Sequence, residues 1–593
     1  MRNWITPLVF VSVVGVNAAQ PPAGTGTADP PTIIITPKRP GDPPSPASST
    51  PDPPGLIIIR PKAASPSTTP QPGPTPTPAP VAQPPTPAPV VPPVLTPAKE
   101  DGKGLFDYWF AAAVEGDRIG YLRWTGRELE QRGKKFWVGV KYQNFTISRF
   151  GQLVTQFGEE STVETPEGEV VSTSMRQGLG KDQALALSGM VDGKVLKIKG
   201  AGAAKGASDT PWPGGVTGIT REPRLFKENQ ALKIGEKFEY LTYVPQVNRV
   251  VKVGVTFEGD ETTALWPNTP PRKLLRFVSR MEPIQGEGGQ KLTLPPATTW
   301  CDAISAEPLR VEFDFPGLGG RVTFLRTTEA AAKAPVTNPP DLFKTQSIRL
   351  NREIPGIHTK AAVVYKVTLP RDDDPGTAFP ADARQEIKNL DPKAKTLELH
   401  VSASHGPIKE MPQQAVPGGE FLGSSFFINW DNAEVKAHAA KAVAGLQADA
   451  TAWEKAKAIE QWVHLNMRAI EFSQAMATAD NVAKTLSGDC TEYAMLAAAM
   501  CRAVGVPSRT VLGLVYAKGA DNKPYLAYHM WFEVFADSQW VPLDATLGTG
   551  GIGPGHVKIT DHSWHNERSF APLLPVLRVL MTRPGFEVSR VSP

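Results

Sequence analysis

The residues with the most chemical potential in this chain are Cys490, His529 and Asp544. Ser487-Gly488-Asp489 reads as a turn before a helix from Cys490 to about Ala503, an Ala-, Leu- and Met-rich stretch stopped by Gly505 and Pro507. A cysteine in the first turn of a helix meets unpaired N–H groups and the positive end of the dipole. Its thiolate is therefore expected to form more easily than that of a free cysteine. A lone cysteine is ordinarily a small buried hydrophobe, so partners decide the matter. If Met530–Phe535 and Trp540–Leu543 pair as a hairpin around 536–539, His529 and Asp544 share a face as opposite or diagonal neighbours. The carboxylate would fix the imidazole tautomer, the imidazole would take the thiol proton, and the sulfur would attack a carbonyl carbon. The Cys490 N–H would face the developing oxyanion.

Four blocks add to this: Ser487-Gly488-Asp489-Cys490-Thr491-Glu492-Tyr493-Ala494, Arg502-Ala503-Val504-Gly505-Val506-Pro507-Ser508-Arg509, His529-Met530-Trp531-Phe532-Glu533-Val534 and Trp540-Val541-Pro542-Leu543-Asp544-Ala545-Thr546. In order and spacing they resemble the transglutaminase-like superfamily of cysteine enzymes, papain-like in core, in a bacterial exported form. The resemblance covers residues 450–550, with family-like flanks from Asn429 to the C-terminus. It implies a catalytic triad of Cys490, His529 and Asp544 and an acyl-enzyme formed with release of an amine or ammonia. The expected substrate is a protein or peptide, with hydrolysis of its amide bonds favoured over cross-linking. The calcium loops of the animal enzymes and the paired CxxC zinc ligands of the peptide N-glycanase branch are not found, so neither metal nor other cofactor is implied. A class-distinct alternative is a non-catalytic peptide-binding or scaffold module built on the same core.

Neighbouring residues take ordinary readings. Trp531, Trp540 and Glu533 suit packing and hairpin roles; Glu533 is also the next orienting group should Asp544 fail. Glu492 suits a cap at the helix start, and Arg509 a buried ion pair. Trp462 suits the core, with a second oxyanion donor as the alternative. His556, His562 and His565 are rival bases by type, but they lie in a Gly-rich segment with no carboxylate in register. Cys501, on the same helix as Cys490, lies about 16 Å from it at 1.5 Å per residue, which rules out a disulfide between them. With Cys301 the cysteines number three, too few for a disulfide scaffold and unpaired in spacing for zinc.

These residues need elements to hold them. After Asp431 the pattern is helical, with Ala433–Leu446 and Thr451–Met467, then the Cys490 helix and strands at Thr510–Val515, Met530–Phe535 and Trp540–Leu543. Before it, short alternating segments predict antiparallel β structure from Leu105 to about Thr328. Hairpins are expected at Asp192-Gly193 and across Pro316–Gly320, and a second β stretch has strands at Ala362–Leu369 and Leu397–Val401. The Asp372-Asp373-Asp374 run reads as a solvated loop, with a cation site as the alternative. The expected division is a signal peptide at 1–18, a Pro-rich linker at 19–100, a β-rich domain at 101–335, a second β-rich segment at 336–428 and a transglutaminase-like domain at 429–593.

Composition bounds the remainder. The net charge is +4 from 63 basic and 59 acidic side chains over 593 residues, too near neutrality for a nucleic-acid partner. Residues 21–100 hold 27 of the 60 prolines, which predicts an extended polyproline spacer unable to bury a core. Within it, Ile33-Ile34-Ile35 and Ile57-Ile58-Ile59 are repeated linker sequence or docking stickers. The Met1-Arg2-Asn3 start, the apolar run Trp4–Val16 and Ala18-Ala19 together read as a secretory signal. The apolar run is short of the roughly 20 residues a spanning helix needs, so export without stable membrane insertion is expected, to the periplasm or the medium.

Overall fold

The computed structural model describes residues 103–593 apart from 150–151, 179–183, 201–208, 267–268, 287–290, 410–412, 468–475, 520 and 566–568. The expected signal peptide, the Pro-rich linker and its Ile triplets lie outside the described residues.

Alternating side chains and tight turns build one antiparallel sheet of 14 strands between Gly104 and Thr327. Strand Asp117–Gln131 shows the pattern, with Gly120, Leu122, Trp124 and Gly126 buried and Tyr121, Arg123 and Thr125 between them more exposed. The two expected hairpins are present: Asp192 pairs with Val195 across Gly193, and Phe315 with Gly320 across the turn Pro316–Leu318. From Gly104–Val114 one meander runs outward to Asp209–Pro211. The strand Gly320–Thr327 flanks Gly104–Val114 on its other side and leads through the second meander to Lys237–Val244. The two outer edges are drawn together. Thr217 N–H donates to Leu241 O at 2.8 Å, and the Trp212 and Tyr243 rings lie 5.5 Å apart, so the sheet curls toward a barrel. Buried against it, Lys141 pairs with Glu222 at 2.6 Å.

The second β stretch does not stand apart. Strand Ala362–Thr368 pairs on one side with Thr396–Ser402 and on the other with Gly585–Ser592, the last strand of the chain. Ile348–Arg349 joins the sheet that contains Pro524–Ala536. Strand pairing thus crosses the boundary drawn at residue 428 twice. Asp372 departs from the sequence reading: it is buried and held bidentately by Arg578, with Oδ1–Nη2 at 2.7 Å and Oδ2–Nε at 3.0 Å, so it is a structural ion pair and not a solvated residue. A partner 206 residues away cannot be read from an acidic run.

The C-terminal half places a small helical layer on the antiparallel sheet that Ile348–Arg349 joins. Its central strands are Ser508–Lys518 and Pro524–Ala536, flanked by Gln539–Leu543 and His556–His562. Helix Cys490–Ala503 is buried along almost its whole length between the helices Ala433–Val443, Ala452–Asn466 and Ala479–Thr485 and this sheet. One continuous hydrophobic cluster runs from Tyr108 to Val588. Among the described residues, no helix is long and apolar enough to cross a membrane.

Candidate active site

Cys490 owes its position to the helix start. Asp489 caps the helix, its carboxylate accepting from Thr491 N–H at 2.9 Å, while Glu492 turns back to accept from Asp489 N–H at 2.8 Å. Glu492 also accepts from Ala477 N–H at 2.9 Å, tying in the preceding segment. Gly488 is required just before this cap. Its φ is +148°, and a Cβ there would sit 2.4 Å from the Glu492 side chain.

His529 comes from the middle of strand Pro524–Ala536, opposite Gly513. A Cβ on Gly513 would meet Val557 O at 2.1 Å and the Trp531 ring at 2.6 Å, so the bare backbone there makes room for the aromatic ring beside His529. The hairpin register is the expected one, with Phe535 opposite Trp540 and Phe532 opposite Leu543. That register carries Asp544, one residue past the strand, to His529: Oδ2 accepts from Nε2 at 2.8 Å. Oδ1 accepts from Thr546 N–H at 2.8 Å. Met530 N–H, next to His529, donates to Cys490 Sγ at 3.4 Å, which sets the sulfur against the strand that carries His529.

The proton positions follow from these partners. A carboxylate only accepts, so His529 Nε2 carries a proton, and in the neutral ring Nδ1 is the nitrogen that holds the lone pair. Nδ1 is buried and makes no hydrogen bond among the described residues. Burial alone would raise the Asp544 carboxyl, but the His529 and His556 donors hold it well below the usual range. Cys490 departs from the sequence expectation. Burial, then the Asp489 charge, pushes its thiol well above the free value, with Met530 N–H opposing, so the helix N-terminus does not by itself yield a thiolate.

Two site residues were not legible in the sequence. His556, set aside for want of a carboxylate, donates from Nε2 to the same Asp544 Oδ2 at 3.0 Å. The Gly-rich segment 547–555 folds back to bring it there, which no local register reveals. Glu460, on helix Ala452–Asn466, accepts from Asp544 N–H at 3.3 Å and Gly550 N–H at 3.0 Å. Burial and the Asp544 charge push its carboxyl up to about 8. Its place among the buried positions of an amphipathic helix was the available signal.

Other candidates go elsewhere. Glu533 is held by Lys558 at 3.0 Å and by Arg509, which bring its carboxyl down to about 2 against the effect of burial, so it is committed away from His529. Arg509 also pairs with Asp561 at 2.9 Å, the expected ion-pair role. Trp462 lies against the His438 ring at 4.7 Å. Trp531 stacks on His529 and meets His556 edge-on at 5.3 Å. His562 accepts from Trp564 N–H at 2.8 Å, and Cys301 and Cys501 are buried. One donor atom each from His529, Asp544 and His556 lies within 4.8 Å of the others, a set that a divalent cation accepts. As they stand these atoms are joined by N–H···O bonds, whereas zinc needs lone pairs from both imidazoles at about 2.0 Å.

No curated protein matches the chain. Among solved structures, a candidate cysteine protease from Cytophaga hutchinsonii is 14% identical over 40% of this chain and 84% of its own, with a TM-score of 0.23. A β-barrel-like DUF1849 protein from Brucella abortus is 9% identical over 37% and 95%, with a TM-score of 0.28. The periplasmic domain of TgpA from Pseudomonas aeruginosa is 14% identical over 55% and 94%, with a TM-score of 0.18. At these scores none of the three bears on what the chain does. Residues 436–545 match the transglutaminase-like superfamily. The stretch that matches contains Cys490, His529 and Asp544, and the chain thus carries a transglutaminase-like domain.

Proposed function

We propose that the protein is an exported cysteine enzyme that hydrolyses amide bonds in protein or peptide substrates through Cys490, His529 and Asp544. The observation that carries this reading is their arrangement: sulfur on the backbone N–H next to His529, a His529 Nδ1 with no hydrogen bond among the described residues, and Asp544 on its Nε2–H. In the reaction, Nδ1 takes the thiol proton as Sγ bonds to the substrate carbonyl carbon. The carbonyl oxygen becomes an oxyanion facing the Cys490 N–H. Collapse breaks the C–N bond, and the Nδ1 proton leaves with the amine. Water, deprotonated by the same nitrogen, then attacks the thioester, and the proton returns to sulfur as the acid departs. Asp544 stays ionised throughout and stabilises the imidazolium. A primary amine in place of water would give cross-linking, the alternative outcome.

One observation favours a second reading. Cys490 is fully buried and its thiol raised, which suits a closed, non-catalytic peptide-binding module. The enzyme reading requires the site to open and ionise. Iodoacetamide near pH 6 separates the two: labelling of Cys490 faster than a free thiol, lost in His529→Ala, supports the enzyme, and labelling at or below the free-thiol rate defeats it. Product analysis on mixed peptides, with and without an added primary amine, then distinguishes cleavage, ammonia release and cross-linking. Export rests on the N-terminal signal pattern and is checked by the first residue of the mature protein, expected at Ala19 or Gln20.

A further inference from the structure

Asp544 serves two imidazoles with one oxygen. Oδ2 accepts from His529 Nε2 at 2.8 Å and from His556 Nε2 at 3.0 Å, and all three side chains are buried. We propose that His556 is a positioning residue, fixing the Asp544 carboxylate so that the His529 ring keeps its Nδ1 lone pair toward Cys490. The proposal rests on the enzyme reading above and adds to it a fourth member that touches neither substrate nor sulfur.

The tautomer comes first. His556 Nδ1 is buried without a hydrogen bond among the described residues, and an unpaired buried N–H costs more than an unpaired lone pair beside an ionised acceptor. The proton therefore sits on Nε2, aimed at Asp544. Charge comes second. Burial lowers His556 to about 4 despite the opposing Asp544, so it is neutral at physiological pH. A lysine or arginine in its place would cancel the carboxylate charge that must stabilise the His529 imidazolium. A neutral N–H donor fixes geometry and leaves the charge in place.

His556 is itself held from outside the superfamily match. Arg384, from the upstream β stretch, donates through Nη2 to His556 O at 2.9 Å and Gly553 O at 3.2 Å. The strand register sets His556 opposite Val515. Trp531 and His358 close the ring in at 5.3 and 5.8 Å. The loop from Asp544 to His556 contains five glycines, Gly548, Gly550, Gly551, Gly553 and Gly555, and needs such fixing. The ionisable groups facing this site are His529, His358 and Asp544 around His556, Glu460 behind Asp544, and Asp489 and Glu492 beside Cys490.

The test uses the full chain and iodoacetamide, which needs no knowledge of the substrate. Alkylation of Cys490 is followed by mass spectrometry from pH 5 to 9 in wild type, His556→Gln and His556→Phe. Glutamine retains an N–H donor near the Nε2 position, so its rate is expected to stay within about threefold of wild type. Phenylalanine removes the donor and is expected to slow labelling at least about tenfold, the scale carried by outer hydrogen-bond partners, and to move the pH midpoint upward. A wild-type rate and profile in folded His556→Phe overturns the proposal, as does an equal loss in both variants. Should His556→Phe not fold, ¹⁵N-imidazole spectra of the wild-type protein decide, with signals assigned through His556→Gln. An Nε2–H tautomer for both rings supports the proposal, and an Nδ1–H tautomer at His556 overturns it. Equimolar Zn²⁺ that blocks alkylation and removes the Nε2 protons would instead identify a metal site and also overturn it. Slow wild-type labelling with both Nε2–H tautomers intact would defeat the enzyme reading while leaving the shared carboxylate standing.

Discussion

At the residue scale, Asp544 is the junction of the site, because four groups converge on it: His529, His556, Thr546 N–H and Glu460. Asp544→Asn keeps the shape but sets an NH2 either against the Thr546 N–H or against the two imidazole N–H groups, and it removes the charge that stabilises the His529 imidazolium. Cys490 alkylation and any peptide hydrolysis should fall by about two to four orders of magnitude, with the melting temperature much less affected. A near-wild-type rate would mean that Asp544 is not the orienting group. Glu460 gives a pH prediction of definite sign. Its folded-state value of about 8 lies above the ordinary glutamate value, so its contribution to stability is complete below about pH 4 and is lost as pH rises to about 8. Glu460→Gln removes that loss. Whatever its offset at pH 5, the variant should gain on wild type in melting temperature by pH 8.5, and a constant offset would show that Glu460 is ionised in the fold.

At the scale of elements, the start of the Cys490 helix does two opposed things: Asp489 caps it, and the same charge raises the thiol. Asparagine caps as well as aspartate, so Asp489→Asn should leave stability within about 0.5 kcal/mol, while Asp489→Ala should cost about 1 kcal/mol. In the asparagine variant the alkylation profile of Cys490 should move to lower pH, and an unchanged profile would show that burial alone sets the thiol. The Cys490 helix and the His529 hairpin were legible because their signals are local: a turn and cap before an apolar helix, and a period-two register that fixes which residues share a face. His556 and Glu460 were not, since one reaches Asp544 through a loop with five glycines and the other from a helix 84 residues upstream. The raised thiol was missed for a related reason. The helix dipole is a property of one element, whereas burial belongs to the whole packing around it.

At the scale of the molecule, the transglutaminase-like stretch depends on what precedes it. The chain's last strand, Gly585–Ser592, has its partner in Ala362–Thr368, and Arg384 and Tyr365 reach from the upstream stretch to Gly553, His556 and Pro554. Further out, Gln346 donates to Gly317 O in the turn Pro316–Leu318 that links two strands of the large sheet, and helix Leu574–Thr582 packs on the same turn. A fragment of residues 429–593 would expose Phe586 and Val588, 2% and 4% exposed in the whole chain, at about 1.5–3 kcal/mol each, and would leave a long unpaired strand. It should therefore melt without a cooperative transition or aggregate. By contrast, deleting 22–97 from the full chain should leave the melting temperature unchanged, since a polyproline stretch has no core to lose. A loss of several degrees would mean that the Ile triplets pack on the folded part. Cooperative unfolding of the 429–593 fragment at the full-length melting temperature, with Cys490 still alkylated at the full-length rate, would show that the upstream strands and Arg384 contribute nothing to the site. Retained folding with slowed alkylation would locate their contribution in the loop from Asp544 to His556.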